Sequence, residues 1–195
     1  MRFSAIREHL SSFRVGIAGA GGLGSNCAAS LARTGIGTLV IADFDVVENS
    51  NLSRQFYFSD QVGMKKTEAL RENILRINPL INIIAHHVKL NGENIPVIFS
   101  GCDVIVEAFD MAEMKEMIII TVQTKMPGIP LVIGSGMAGW GDAGSLKCRK
   151  IDKSLYVCGD ESTEASEENP PLAPRVGIVA NMQANTVIDI LMNLK

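Results

Sequence analysis

Apolar positions along this chain fall into two alternating kinds of block. Strongly apolar runs read as strands buried on both faces: Arg14-Val15-Gly16-Ile17-Ala18, Thr38-Leu39-Val40-Ile41-Ala42, Val104–Phe109 and Pro130–Gly134. Between them apolar residues recur at helical spacing. Residues 2–12 carry Phe3, Ile6 and Leu10 on one side, and Lys65 to Ile77 carries Leu70, Ile74 and Ile77 before Asn78-Pro79 stops it. Further helices are predicted over 24–33, 95–99 and 112–126, with a strand over Ile81–Val88. Residues 44–62 are polar and read as irregular. The alternation predicts an α/β fold: a mostly parallel sheet with helices on both faces. After Gly134 the pattern loosens. Gly134–Asp142 is glycine-rich and reads as a mobile turn. Leu146–Ile151 and Leu155–Val157 read as short strands added antiparallel near the C-terminus. Residues 159–174 form an acidic, proline-containing loop, and 175–195 a helix that is apolar nearly all round. Such a helix is either deeply packed or shared with a partner.

Composition narrows the class. The 195 residues suit one domain, 1–195, with an N-terminal helix inside 1–13, and 47% hydrophobic content against 20% charge supports a substantial core. A net charge of −3 gives no electrostatic footprint for nucleic acid or an anionic membrane surface. No apolar run approaches the roughly 20 residues a bilayer span needs, and the first ten residues lack a signal-peptide core, so the expected location is the cytoplasm. Cys27, Cys102, Cys148 and Cys158 form no Cys-x-x-Cys pair, so no zinc site is expected and the four read as free thiols.

Chemistry enters at Gly19-Ala20-Gly21-Gly22-Leu23-Gly24, which follows the first strand and opens a helix, with Asp43 nineteen residues further on. Strand, glycine turn, helix, strand and terminal acid make a Rossmann-like nucleotide-binding unit. The glycines let phosphate approach the backbone, and the helix start offers unpaired N–H groups and partial positive charge. The turn has two readings, a dinucleotide oxidoreductase or a nucleoside triphosphate enzyme. Arg54 and Lys66, beyond the second strand, suit three phosphates better than a nicotinamide ring, although an isolated pair of this kind is more often solvated charge.

The ordered set Gly19–Ser25, Asp43-Phe44-Asp45, Ser50-Asn51-Leu52-Ser53-Arg54-Gln55, Gly63-Met64-Lys65-Lys66 and Asn78-Pro79 closely resembles the ThiF/MoeB family, bacterial relatives of ubiquitin-activating enzymes. Glu107–Asp110, Gly136–Gly139 and Ala173–Gly177 continue the resemblance across nearly the whole chain, which is most similar to the short, zinc-free ThiF type of thiamine biosynthesis. The resemblance implies ATP-dependent adenylation of the C-terminal glycine of a small ubiquitin-like sulfur carrier ending in Gly-Gly, by a homodimer. It implies that Gly19, Gly21, Gly22 and Gly24 shape the turn and that Asp43 holds the ribose. Asn51, Arg54 and Lys66 would contact the triphosphate, and Asp110 would hold Mg²⁺ near it. Without the resemblance Asp110 reads as the N-cap of the following helix. Asp45 is a further ribose or metal-shell acid, or merely exposed. Rival readings are an NAD-dependent oxidoreductase and a non-catalytic carrier-binding homologue.

The chain departs in two places from the pattern of the family it resembles. An Arg-Tyr-x-Arg-Gln segment that supplies an arginine across the dimer is missing, leaving only Arg2 and Arg7, and Met111 stands where many relatives carry Asn. Cys158, at the start of the expected crossover loop 159–174, is the candidate nucleophile by resemblance. The acids Asp160 and Glu161 oppose thiolate formation there, and a structural thiol is the preferred reading. His86 and His87 read as edge or packing residues. Trp140 reads as a loop anchor or as a cover for the carrier tail.

Overall fold

The computed structural model describes residues 2–194. Seven strands build one sheet: β1 (Arg14–Ala18), β2 (Thr38–Asp43), β3 (Asn82–His87), β4 (Val104–Glu107), β5 (Leu131–Gly134), β6 (Lys147–Lys150) and β7 (Leu155–Gly159). Their spatial order is β3-β2-β1-β4-β5-β7-β6. Neighbours are parallel except β6 and β7, so the expected α/β architecture with an antiparallel addition is the one found. His86 and His87 lie on the edge strand β3.

The helices are α1 (Phe3–Leu10), α2 (Gly22–Thr34), α3 (Lys66–Ile77), α4 (Ile95–Ile98), α5 (Ala112–Lys125) and α6 (Ala173–Asn193). Strand side chains alternate between faces, and the two cores follow that period. Val15, Ile17, Leu39 and Ile41 pack with Leu10, Leu31, Leu70 and Val187 from α1, α2, α3 and α6. Val40, Ile105 and Leu131 point to the other face and pack with Ile95, Phe99, Ile118 and Val122 around α4 and α5. Burying these side chains is the main force holding the layers together. Among the described residues no helix is long and apolar enough to cross a membrane.

From β1 the chain moves outward to β2 and β3, then returns to lay β4 on the other side of β1. The reversal leaves a crevice between the carboxyl ends of β1 and β4, the place where open α/β sheets receive ligands.

Several boundaries differ from the sequence reading, each for a local reason. The N-terminal helix covers Phe3–Leu10 rather than all of 1–13, and Met1 lies outside the described residues. Residues 44–62 hold two 3₁₀ turns, Asn49–Ser53 and Ser59–Gln61; the first is closed by Asn51, whose Oδ1 accepts the Glu48 amide at 3.1 Å. Strand β4 ends at Glu107, before the chain turns across the crevice. Strand β7 runs on to Gly159, which places Cys158 inside the sheet and not on the loop. The last helix starts two residues early, at Ala173, because Pro174 lacks only an N–H that the first turn leaves unpaired. This helix is deeply packed: Val176, Val179, Ala180, Val187 and Leu191 are buried, whereas Ile178 and Asn181 face outward. Lys195, at the end of the helix expected over 175–195, lies outside the described residues.

Candidate functional site

The glycine turn is shaped by two close approaches. Gly19 has φ +97°, a left-handed conformation that penalises any side chain. A Cβ on Gly24 would lie 1.9 Å from the Gly19 carbonyl oxygen, so only glycine lets α2 start this close to β1. No side chain caps α2, and its first turn holds no acid. The amides of that turn therefore point into the crevice with the positive end of the helix dipole, an arrangement suited to phosphate.

Residues 43–66 are stitched to this turn. Asp43 accepts the Ala20 amide through Oδ2 (2.6 Å) and the Asp45 amide through Oδ1 (2.7 Å). Tyr57 donates its hydroxyl to the Ala20 carbonyl at 2.7 Å. Burial, with Asp43 and Asp45 nearby, pushes the Tyr57 phenol well above its ordinary range and keeps that donor protonated. Ser25 Oγ accepts the Phe56 amide (2.9 Å), and Asn26 donates to the Arg54 carbonyl (2.9 Å). These contacts hold Arg54 beside Gly22, where a Cβ would lie 3.8 Å from Arg54 Cγ. Among the described residues the Arg54 guanidinium reaches only its own turn, donating to the Ser50 carbonyl and the Ser53 hydroxyl, both at 3.3 Å. Lys66 is 6% exposed and its ammonium sits 2.7 Å from Asp45 Oδ2. Asp45 is thus neither idle nor merely exposed: it holds the lysine at the carboxyl edge.

The opposite wall comes from β4. A Cβ on Gly19 would lie 2.8 Å from the Ala108 carbonyl oxygen and 3.4 Å from the Phe109 ring, so the turn carrying Asp110 closes directly over the glycines. Asp110 is exposed, and it does not cap α5: the N-cap is Met111, with no side-chain cap bond, because the helix begins one residue beyond the acid. What fixes this turn is Glu107, 0% exposed. Its Oε1 accepts the Phe109 amide (2.6 Å) and Lys115 Nζ (2.8 Å), and Lys115 also donates to the Gly134 carbonyl (2.8 Å). Burial pushes the Glu107 carboxyl upward against the ammonium of Lys115. An acid closing the apolar run Val104–Val106 is the sequence signal for such a network, because a buried carboxylate requires a partner.

The segments after β5 and β7 meet at the start of α6, whose Val176 Cγ1 would lie 3.0 Å from a Cβ on Gly22. Arg175, 5% exposed, pairs with Asp160 and donates to the carbonyl oxygens of Gly141 (2.5 Å) and Asp142 (3.3 Å). Asp160 further accepts the Ser162 and Thr163 amides, both at 2.8 Å. The foot of the acidic loop is therefore tied down through the shielded Asp160 side chain, while Glu161, Ser162 and Glu164–Glu168 are exposed, as an acidic loop composition predicts. With Ser145 and Asn169 these residues line a cavity of about 270 Å³ whose rim carries Trp140. Trp140 is 72% exposed, so it is not a packed anchor. Cys158 is fully buried on β7, and burial pushes its thiol well above the ordinary range, which opposes thiolate chemistry.

Contacts thus link Gly19, Gly22, Asp43, Asp45, Arg54 and Lys66 at the carboxyl edge, with Gly21, Gly24 and Asn51 in the same turns and Asp110 one residue beyond the Phe109 that lies against Gly19. The structure does not bring Arg2 or Arg7 there. Arg7 packs beside Gly35, before β2, at the amino edge of the sheet. Glu107, Lys115, Tyr57 and Arg175 are positioning residues to which motif reading gives no role, although Glu107 and Arg175 lie in segments that carry the resemblance.

The family model described as the ThiF family matches residues 3–195. Among curated relatives, the adenylyltransferase and sulfurtransferase UBA4 of Saccharomyces cerevisiae is 32% identical over 192 residues, covering 95% of this chain and 43% of that protein. The molybdopterin-synthase adenylyltransferase of Salmonella typhimurium is 30% identical over 190 residues, covering 95% of this chain and 75% of that one. The chain therefore spans less than half the length of its yeast relative. Among solved structures, the E. coli tRNA N6-threonylcarbamoyladenosine dehydratase TcdA, in complex with ATP, superposes with a TM-score of 0.86 at 20% identity, covering 96% of this chain and 89% of that one. That similarity is one of fold. The match runs through the glycine turn, the Asn51–Arg54 segment and the Asp110 turn alike, and the chain belongs to the ThiF family.

Proposed function

We propose that the protein uses ATP to adenylate the C-terminal glycine of a small ubiquitin-like sulfur carrier, in thiamine biosynthesis, and that 1–195 acts as one ATP-binding adenylyltransferase domain. The observation that carries this reading is the meeting of an uncapped helix start, the Asp45–Lys66 pair and the Asp110 turn at one crevice. The adenylyltransferase names of the yeast and Salmonella relatives support the reaction class.

In the reaction a carrier carboxylate oxygen attacks the α-phosphorus of ATP. The bond from that phosphorus to the bridging oxygen breaks, and pyrophosphate leaves. Two anions must meet and a polyanion must depart, so charge neutralisation is the main demand on the protein. Amides at the start of α2 would face the phosphates. Arg54 would oppose the charge developing at the α-phosphorus. Lys66, kept at the edge by Asp45, would oppose the leaving group. Asn51 completes the triphosphate wall, and Asp43, which already orders Ala20 and Asp45, is the acid nearest the ribose position.

Mg²⁺ fits this site through Asp110. Among the described residues no three His, Cys, Asp or Glu side chains gather to hold a metal. An exposed carboxylate completed by phosphate oxygens is nevertheless the usual donor set for this hard cation. When bound, the ion supplies charge neutralisation between the phosphates. Asp110 would hold it, and Glu107 with Lys115 would hold the turn that presents Asp110. The working form is a homodimer, for which the outward-facing Ile178 offers an apolar contact; elution at the mass of one chain would refute this.

Pyrophosphate exchange into ATP, with and without a carrier ending in Gly-Gly, tests the reaction. Arg54→Ala and Asp110→Ala are each expected to lower exchange by about 10²-fold or more while leaving the fold intact. Retention of exchange by both would refute the site assignment. Saturable NAD binding with no response to ATP would favour an oxidoreductase instead.

A further inference from the structure

Two thiols away from the nucleotide crevice face each other across the last two strands. Cys148 on β6 and Cys158 on β7 are direct partners in the antiparallel register. The Ile151 amide donates to the Leu155 carbonyl at 2.8 Å, which marks those two residues as a hydrogen-bonded pair. Bonded and non-bonded pairs alternate along an antiparallel ladder, so Cys148 and Cys158 occupy a non-bonded pair, in which Cα atoms approach to about 4.5 Å and side chains lie closest. That separation falls within the range a disulfide spans. Their sulfurs are 3.2 Å apart. From α6 the Thr186 hydroxyl lies 3.0 Å from Cys148 Sγ and 3.8 Å from Cys158 Sγ. Cys148 is exposed and Cys158 is buried, so one thiol meets solutes and the other waits behind it.

We propose that Cys148 and Cys158 form a modification site, a dithiol that closes to a reversible intramolecular disulfide on meeting a low-molecular-weight disulfide. Cys148, the accessible thiol, loses its proton and attacks one sulfur of the small disulfide. The sulfur–sulfur bond breaks and the first small thiolate leaves, taking up a proton. Cys158 then loses its proton and attacks Cys148 Sγ, and the second small thiol departs. The protein loses two hydrogens and two electrons, and the small disulfide gains both. The protein supplies its own controls: Cys27 and Cys102 are buried, so neither meets the small disulfide first, whereas Cys158, also buried, resolves the adduct because its sulfur lies 3.2 Å from that of exposed Cys148. The bridge would tie β6 to β7 immediately before Gly159 and Asp160, and so fix the strand pair from which Asp160 reaches Arg175.

The test treats the folded full chain with oxidised glutathione and reads intact mass and peptide maps. Wild type is expected to lose the mass of two hydrogen atoms, yield a linked Cys148–Cys158 peptide, retain two of its four thiols, and recover all four with dithiothreitol. Cys148→Ser is expected to leave the mass unchanged. Cys158→Ser is expected to stop at a glutathione adduct on Cys148. The wild-type result stands without either variant. A wild type that stops at the adduct, links two chains, or keeps all four thiols would overturn the proposal.

Discussion

The two segments beside the crevice use charge differently. Residues 43–66 are tied to the glycine turn through uncharged groups, Tyr57 to Ala20, Ser25 from Phe56 and Asn26 to Arg54, with Asp43 ordering the backbone, and their ion pair, Lys66 with Asp45, leaves the carboxylate half exposed. This leaves the Arg54 guanidinium with contacts only to its own turn. Residues 136–172 are fixed by a charge pair, Asp160 with Arg175, and Arg175 is surrounded by acceptors from Gly141, Asp142 and Ser145. Both arginines stand near the same crevice. Their acceptors distinguish them: one retains bonding capacity for an anion and the other is consumed in holding the fold. A buried ion pair offsets its own desolvation only when every partner is present.

Substitutions can break that contrast. Arg175→Ala removes the charged donor from Asp160, which keeps its Ser162 and Thr163 donors, and is expected to cost about 3 kcal/mol, read by urea unfolding; a loss no larger than that of a surface substitution would show that the pair anchors nothing. Gly24→Ala drives a methyl into the Gly19 carbonyl and is expected to cost about 3 kcal/mol and to abolish the response of Tm to ATP. The third expectation concerns acid. Burial would raise the Asp160 carboxyl, but the amides of Thr163 and Ser162, the Thr163 hydroxyl and Arg175 hold it well below the ordinary 3.8. Below 3.8 the unfolded chain binds a proton that the folded chain refuses. The contribution of Asp160 is therefore complete above that value and lost as pH falls further. Calorimetry should show Tm falling more steeply in wild type than in Asp160→Asn below about pH 4. Equal slopes would assign the acid sensitivity elsewhere. Smallest in stability, Arg54→Ala should cost less than about 0.5 kcal/mol while exchange collapses. A large loss of stability would place Arg54 with Arg175 as a structural group.

How much of this was legible in the sequence depends on how far apart the partners lie. The glycine turn, β1, β2 and Asp43 declare themselves because strand, turn and acid are one contiguous pattern. The residues around the crevice could be named from motifs. Their interlocking could not, because Tyr57 carries no periodic or motif signal for its bond to Ala20. The pair Asp160–Arg175 is invisible to composition, which sees an acidic, proline-containing stretch and has no term for one arginine across a loop. Cys158 was misplaced for a related reason: β7 is extended by its pairing with both β5 and β6, and no local propensity encodes those neighbours. The antiparallel addition itself was legible from short apolar runs.

The reversal of strand order at β1 also has a consequence in time. The glycine turn leaves the ribosome before its opposite wall, which comes from β4 and follows two intervening strands and the helices packed on them. Non-local pairing of this kind is slow, since the intervening chain must be ordered before the contact can form. An N-terminal fragment ending before Val104 would hold the phosphate-facing amides and lack the turn that closes over them. Nucleotide affinity would then arrive only with the docking of β4, and the onset of ATP protection during refolding would mark that event.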